Sequence, residues 1–344
     1  MDDKPASESK KRPTQADVAK LAKVSQAMVS YVVNDTPSIS IPEESRQRVR
    51  DAVRTLGYVP DSAARSLRTR KSFTVAGIIP DITNPFYPAF ERGIQDVAED
   101  RGYDLISCNT DGIAAKEHKY LRLAQQGRVD GFVAVFFHVS ATDLRPLLER
   151  GVAMVRLEPT LKKVGPLPLD NIFVDNIGAA RTATSYLVGK GHRTIAMLSG
   201  RSGPQQARVQ GYRQALEDHS IPLDDTLIRG NGFDADHGYH AMREVIQRFP
   251  RPTAVFAGND LVAIGAMSAI RDAGLRVPDD IAVVGFDDIH AARHLTPPLT
   301  TISQFPERLG RRAAEMLFER LDGIVSGGGR SERMPHELIV RESA

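Results

Sequence analysis

The stretch Thr14–Asn34 constrains the fold of this chain most, because it predicts two short helices joined by a tight turn. Thr14 and Asp17 match a capping box, in which a hydroxyl residue and an acidic residue three positions later satisfy the first free amides of a helix. Ser25 is a candidate N-cap for the second helix, after a turn at Lys23-Val24. Apolar residues at helical spacing should form the buried faces: Val18, Leu21 and Ala22 in the first helix, and Val29, Val32 and Val33 in the second.

Two short helices that cross through a compact turn are typical of the helix-turn-helix motif of DNA-binding proteins. The second helix of that motif lies in the major groove and presents its first residues to the base edges. On this geometry the residues that face DNA are Ser25, Gln26, Ala27, Ser30 and Tyr31.

The pattern D-V-A-x-x-A-x-V-S followed by V-S-x-V-x-N resembles the headpiece of the LacI/GalR family of bacterial transcription regulators. Gly57-Tyr58-Val59-Pro60 and the segment Ala63–Arg68 are similar to the hinge helix of that family, and further motifs extend the resemblance to Arg341. Two positions depart from the pattern, Met28 where Thr is usual and Tyr31 where Arg is usual. Because Tyr cannot form the bidentate pair that Arg makes with guanine, we expect an operator preference unlike the family average.

The resemblance implies that Leu67 is an apolar wedge that opens a base step in the minor groove, which is a known way to kink DNA. The alternative is a basic linker with one exposed leucine. The full predicted DNA-binding set is Thr14, Ser25, Gln26, Ala27, Ser30, Tyr31, Asn34, Ala64, Leu67 and Arg68.

The charge of the chain is distributed unevenly, although the net value is only +2. Residues 1–71 carry 14 Lys and Arg against 9 Asp and Glu, whereas the remainder carries 31 against 34. A basic N-terminal part is what phosphate neutralisation requires. The single cysteine, Cys108, excludes an internal disulfide framework, and no apolar run approaches the length that spans a bilayer. We therefore expect a soluble, cytoplasmic protein.

From Phe73 onward, short apolar runs alternate with amphipathic stretches, which indicates parallel sheets with helices on both faces. The predicted fold class is an all-α helix-turn-helix headpiece plus an α/β core of two doubly wound parallel-sheet lobes. The resemblance implies a periplasmic-binding-protein-like core whose chain crosses between lobes near Val174, Ser303 and Arg330. The residue pattern predicts a final strand at Glu332–Val340. The expected segments are an arm (1–13), the DNA-binding domain (14–58), a hinge (59–71) and the core (72–344), with an N-lobe at 72–174 and 303–330 and a C-lobe at 175–302 and 331–344.

Ligands of open parallel sheets bind beyond the carboxyl ends of the strands, and polar and aromatic residues follow several of the apolar runs. The residues that match family pocket positions are Asn84, Phe86, Tyr87, Glu158, Arg208, Phe233, Asn259 and Asp287. Carboxylates, an Arg fork, an amide and aromatic faces suit a small polyhydroxylated effector, so a sugar or sugar derivative is the first choice and a nucleobase or nucleoside the second. Each residue also has a purely structural interpretation, such as an N-cap for Asn259.

Enzyme classes are not supported, because the chain contains no nucleophile elbow, phosphate loop or dinucleotide fingerprint. The pairs His237/His240 and His290/His294 lack a third ligand and are better read as solvated or capping side chains, so neither a metal nor a cofactor is expected. The sequence therefore predicts a repressor that binds a pseudo-palindromic operator as a homodimer and responds to a small effector. Two alternatives remain: a solute-binding protein, and a regulator that responds to another protein.

Overall fold

The computed structural model describes residues 12–34, 39–59, 66, 69–200 and 203–344. The chain divides into two compact units, residues 1–72 and residues 73–344. Each unit is described separately below.

The first unit is a bundle of three short helices: α1 (Gln15–Ala22), α2 (Gln26–Val33) and α3 (Glu43–Leu56). Its small core contains Val18, Ala19, Ala22, Val29, Val32, Val49 and Ala52. Leu21 was expected in this core, but its side chain is 49% exposed, because Val18, Ala19 and Ala22 form the buried stripe instead. Pro42 precedes α3 and provides no side-chain cap, and Gly57 ends the helix in the left-handed conformation.

The first lobe of the second unit is a six-stranded parallel sheet with the strand order β11-β5-β4-β3-β1-β2. Its strands are β1 (Thr74–Ile79), β2 (Asp104–Asn109), β3 (Gly131–Ala134), β4 (Ala153–Glu158), β5 (Leu169–Val174) and β11 (Ser331–Met334). Its helices are α4 (Phe86–Asp100), α5 (Ala114–Gln125), α6 (Ala141–Leu148) and α11 (Pro306–Leu321). Apolar clusters cover both faces of the sheet, so the lobe is doubly wound.

The second lobe is another six-stranded sheet, with the order β12-β10-β9-β8-β6-β7. Its strands are β6 (Ile195–Leu198), β7 (Ile228–Arg229), β8 (Ala254–Ala257), β9 (Ala282–Asp287), β10 (Thr300–Ser303) and β12 (Glu337–Ile339). Its helices are α7 (Asn176–Gly189), α8 (Gln205–Asp218), α9 (Ala235–Ile246) and α10 (Asp260–Asp272). Only β12 runs antiparallel to its neighbour. The predicted fold class is confirmed.

The third crossing between the lobes lies later than the expected Arg330. Residues 331–334 form β11, which pairs in parallel with β5 of the first lobe, whereas β12 pairs with β10 of the second lobe. The single final strand expected at Glu332–Val340 is therefore wrong, because Pro335 and His336 interrupt it and send the chain across. The first lobe consequently extends to Met334, and the crossing occupies residues 335–336.

The buried Asp170 of β5 anchors this last passage through the first lobe. Its carboxylate accepts hydrogen bonds from Arg320 of α11 and from Arg330, which directly precedes β11. Burial acts to raise the pKa of Asp170, but the hydrogen bonds from Arg320 and Arg330 outweigh it and lower the pKa. Among the described residues, no helix is both long and apolar enough to cross a bilayer.

Candidate DNA-reading helix and effector cavity

The turn between α1 and α2 is built as the sequence predicts. Thr14 and Asp17 form a reciprocal capping box, and the Ser25 hydroxyl accepts a hydrogen bond from the Met28 amide at 3.2 Å. Lys23 adopts the left-handed conformation that lets the chain reverse direction. The Gln15 side chain donates to the Gln26 carbonyl at 3.0 Å and so joins the beginnings of the two helices.

The exposed surface of α2 carries most of the residues predicted to read DNA. Ser25, Gln26, Ala27, Tyr31 and Asn34 are exposed, whereas Ser30 is half-buried and accepts a hydrogen bond from the Asn34 side chain. Thr14 is exposed at the start of α1. The remaining predicted contacts, Ala64, Leu67 and Arg68, lie outside the described residues, as does most of the hinge.

A cavity of about 440 Å³ lies between the two lobes, at the carboxyl ends of the strands. Four of the eight predicted effector residues line it: Phe86, Tyr87, Glu158 and Arg208. The other lining residues are Val135, Phe136, Phe137, His138, Val139, Ser140, Arg156, Leu157, Pro159, Lys162, Val174, Asn176, Gly203, Pro204 and Gln304. Aromatic faces, donors and acceptors thus converge from both lobes, as in the binding sites of small polar molecules.

On the second-lobe side, Arg208 of α8 is buried in a network that uses most of its donors. Its Nε donates to Asn176 at 2.9 Å, its Nη1 donates to the Gly258 carbonyl, and its Nη2 lies 3.7 Å from the Asp287 carboxylate. The guanidinium also lies over the Phe286 ring, 3.6 Å from its centroid. Arg208 is therefore held in one orientation before any ligand arrives.

Burial dominates the protonation of the groups behind this side of the cavity. It raises the pKa of Asp287 to about 6, although Arg208 and Gln304 oppose the shift. It raises the pKa of Asp260 well above its usual range, and the charge of Asp287 adds to that shift. On the first-lobe side, burial also raises the pKa of the hydroxyl of Tyr87, which lines the cavity.

The other four predicted residues, Asn84, Phe233, Asn259 and Asp287, do not line the cavity. Each contacts nearby protein groups instead. Asn84 accepts from the Phe86 amide within the turn that begins α4, and Asn259 caps α10 and donates to the Phe233 carbonyl. The Phe233 ring packs against Gly200. Asp287 lies one layer behind the wall, where it pairs with Arg208 and accepts from Gln304 at 2.7 Å.

The first-lobe side contains an ionic group of which the sequence predicts only Glu158, and not its partners Arg156 and Lys162. Arg156 of β4 lies 2.8 Å from Glu158, and Lys162 lies 3.8 Å from the same carboxylate. Arg156 also donates to Asn171, its register partner on β5. Burial raises the pKa of Glu158 and lowers that of Arg156, and in each case the charge of the partner opposes the shift. The available signal was the Arg-x-Glu spacing, which places both side chains on one face of a strand.

The loop after β3 is held against the cavity by a buried carboxylate. Glu117 of α5 is fully buried and accepts hydrogen bonds from the amides of Phe137, His138 and Val139 at 2.9, 3.0 and 3.1 Å. The Phe137 ring then lies against Gly203 of the second lobe, where a Cβ would meet it at 2.8 Å. Phe137 therefore brings the two sides of the cavity into contact.

Comparisons with known proteins agree with both parts of the chain. Residues 14–61 match the model of bacterial regulatory proteins of the lacI family, and residues 184–344 match the periplasmic binding protein-like domain. The HTH-type transcriptional repressor PurR of Vibrio atlanticus (strain LGP32) is 36% identical over 309 residues, which cover 89% of this chain and 91% of that repressor. The chain belongs to the LacI family.

Solved structures support the same assignment. A transcriptional regulator CelR-cellobiose complex is 34% identical and matches 97% of this chain and 100% of its own, with a TM-score of 0.70. The lac repressor dimer bound to operator is 26% identical and matches 97% and 99%, with a TM-score of 0.82. A LacI family regulator from Enterococcus faecium with bound ribose is 30% identical and matches 78% and 98%, with a TM-score of 0.71.

This LacI family member is a ligand-responsive DNA-binding transcriptional repressor and not an enzyme, as its curated relatives are named repressors. Its partners are operator DNA and a small-molecule effector. In the part of the chain that the structure describes, no group of three or more His, Cys, Asp or Glu side chains is arranged to hold a metal ion.

Proposed function

We propose that a small, sugar-like effector occupies the 440 Å³ cavity and sets the affinity of a homodimer for a pseudo-palindromic operator. The observation that carries this proposal is the composition of the cavity. Aromatic faces from Phe86 and Phe137 accompany hydrogen-bonding groups from Arg156, Glu158 and Gln304, and this combination suits a ring with apolar faces and hydroxylated edges. The relatives solved with cellobiose and with ribose are consistent with such a ligand.

The cavity couples ligand to DNA because both lobes contribute to its wall. A ligand that contacts both lobes favours the lobe arrangement in which those contacts are made, and only such a difference in affinity shifts a conformational equilibrium. The effector is an inducer if that arrangement binds operator less tightly, and a corepressor if it binds operator more tightly.

The small size of one DNA-binding headpiece supports a homodimer. A single α2 contacts few base pairs, whereas two copies related by a twofold axis read two half-sites together. The lac repressor, which matches nearly the whole chain, was solved as a dimer on operator. Sedimentation equilibrium should give twice the chain mass of 37.7 kDa, and a mass of one chain at operator-binding concentrations contradicts the dimer.

The effector is tested by a thermal-shift screen of the full chain against neutral sugars, sugar phosphates, nucleobases and nucleosides, followed by operator binding with each stabilising compound. A ligand at 100 times its Kd adds about 2.7 kcal/mol to the free energy of unfolding. A stabilising sugar that also changes operator affinity supports the proposal. Stabilisation by nucleobases or nucleosides alone contradicts the sugar assignment, and no stabiliser at all favours a protein-coupled regulator.

The reading helix is tested by Gln26→Ala and Tyr31→Ala in a binding selection from randomised operators. Loss of a base contact costs about 1–3 kcal/mol at the contacted base pair and relaxes the preference there. Because both side chains are exposed, the thermal stability should stay within about 0.5 kcal/mol of wild type. An unchanged base preference in both variants contradicts the assignment of α2 as the reader.

A further inference from the structure

The strongest unassigned residue is Arg156, which forms an ionic pair with Glu158 on the first-lobe wall of the cavity. The two residues lie two positions apart on β4, so their side chains share one face of the sheet. Both are largely buried, with side chains 13% and 11% exposed. A sheet face at this depth is ordinarily apolar, and an ion pair there costs more desolvation than an apolar pair of the same size.

The hydrogen bonds of this pair are incomplete in a specific way. Arg156 uses Nε and Nη2 to donate to Asn171 at 3.3 and 3.1 Å, and Nη2 lies 2.8 Å from Glu158 Oε1. Across the described residues, no acceptor is found for Nη1 of Arg156. The second oxygen of Glu158 lies 3.8 Å from the Lys162 ammonium, which is too far for a hydrogen bond, and among the described residues no hydrogen bond to this oxygen is found.

Both residues line the cavity, so its wall contains a guanidinium with an unused donor beside a carboxylate with an unused acceptor. Two adjacent hydroxyls of a sugar offer the complementary pair, since one hydroxyl accepts from the donor while the other donates to the acceptor. The charges of Arg156 and Glu158 offset each other, so a neutral ligand meets no net charge. A phosphate here would face the Glu158 carboxylate. Of the other cationic side chains in the cavity wall, Arg208 is already paired with Asp287, and Lys162 is 47% exposed and screened by water.

We infer that Arg156 is a specificity-determining residue which, with Glu158, binds a vicinal diol of an unphosphorylated sugar. The inference rests on the proposed function, because it assigns a ligand class to the same cavity. Asn171 fixes the orientation of Arg156 and so leaves Nη1 as the donor available to the ligand.

The experiment compares D-ribose, D-glucose and cellobiose with ribose 5-phosphate and glucose 6-phosphate, by titration calorimetry on the full chain. The tightest neutral sugar is then measured, together with its monodeoxy analogues, against wild type, Arg156→Met and Glu158→Gln. Loss of a hydrogen bond to a charged group should weaken the binding of the parent sugar by roughly tenfold to a hundredfold. For wild type, one monodeoxy analogue should bind more weakly than the parent sugar. For Arg156→Met, that analogue and the parent sugar should bind with equal affinity, because the variant has already lost the contact that the deoxy analogue lacks.

Lys163→Ala is the matched control, because Lys163 is an exposed cation on the same loop as Lys162 and does not line the cavity. Equal sugar affinity in Arg156→Met, Glu158→Gln and Lys163→Ala overturns the inference but leaves the proposed function intact. Tighter binding of the phosphorylated sugars also overturns it and indicates an anion site. If no sugar of either kind binds, the proposed function and the inference both fail. Glu158→Gln, which keeps the shape of the side chain, maintains the test if Arg156→Met does not fold.

Discussion

Arg208 on the second-lobe wall and Arg156 on the first-lobe wall both place a buried guanidinium beside a carboxylate, yet they differ in what their donors do. Arg208 is engaged by Asn176, Gly258 and Asp287 and is stacked on Phe286. Arg156 leaves one nitrogen without an acceptor among the described residues. In the arrangement that we propose, the second-lobe wall is a fixed frame and the first-lobe wall offers hydrogen bonds to the ligand.

The largest effect is expected for Arg208→Met, which removes the buried cation from the second-lobe wall. Asp287 is then buried without its partner, so we expect a loss of about 3–5 kcal/mol in the free energy of unfolding. Urea denaturation measures the loss. Arg213→Met is the control, because Arg213 lies on the same helix and its pair with Asp225 is exposed, so that variant should lose less than about 1 kcal/mol. Equal losses in the two variants contradict the framing role of Arg208.

Glu117 supports the first-lobe wall from behind, because it binds the loop that lines the cavity but does not line the cavity itself. Glu117→Gln replaces an acceptor with an amide donor that faces three backbone amides, so we expect a loss of about 2–3 kcal/mol. Hydrogen exchange should be faster at Phe137, His138 and Val139. The exposed Glu149→Gln is the control. If those three amides remain protected in Glu117→Gln, the carboxylate does not hold the loop.

Two of the buried aspartates of the core, Asp287 and Asp170, should give opposite pH dependences. The folded-state pKa of Asp287, about 6, lies above the unfolded value of about 3.9, so its contribution to stability is full below pH 4 and is lost as the pH rises to about 6. The stability difference between wild type and Asp287→Asn should therefore fall by roughly 2 kcal/mol between pH 4 and pH 7.

Asp170 supplies the opposite sign, because its pKa is lowered in the folded state and its contribution is lost as the pH falls. Because this loss occurs below the unfolded pKa of about 3.9, urea midpoints of Asp170→Asn must be measured below pH 4, whereas those of Asp287→Asn are measured between about pH 4 and pH 7. Parallel profiles for the two variants would show that burial does not control Asp287 as described.

The smallest expected effect concerns the contact between the two walls. Gly203 has a φ of +59° and lies against Phe137, so Gly203→Ala introduces both backbone strain and a steric clash, at about 1–2 kcal/mol. Gly274→Ala isolates the strain, because Gly274 has a φ of +73° and no atom near its missing Cβ. Adding Phe137→Leu to Gly203→Ala should recover the steric part. If Gly203→Ala and Gly274→Ala lower the free energy of unfolding by the same amount, the Phe137 ring does not clash with a Cβ at position 203.

Much of the fold was predictable from the sequence, because capping residues and apolar runs act locally. Ser25 caps α2 as its position in the sequence predicts. β5 does not stand out as an apolar run, because Asp170 and Asn171 interrupt it, and both are satisfied only by partners distant in the chain or on a neighbouring strand. The prediction that Leu21 is buried was wrong, because helical periodicity does not show which side of the apolar face packs against the neighbouring helices.

The site was less predictable, since its selectivity depends on contacts between strands. Arg156 is the charged residue within the otherwise apolar stretch Ala153–Leu157, so the local pattern indicates only that it belongs to a strand. Its exposure to the cavity follows from the strand register with Asn171, which one sequence does not encode locally. Asn259, by contrast, follows a strand as a ligand-binding residue would, but its amide is used as a helix cap.

The chain passes between the lobes three times, and this has a consequence for synthesis on the ribosome. The headpiece core is complete once residue 56 has been made, because all of its helices are contiguous. The first lobe needs α11 and β11, and the second needs β12, so neither has its full set of elements before about the last ten residues emerge. Domains generally fold as units during translation, so helices α1, α2 and α3 can fold on the nascent chain long before either lobe of the core is complete.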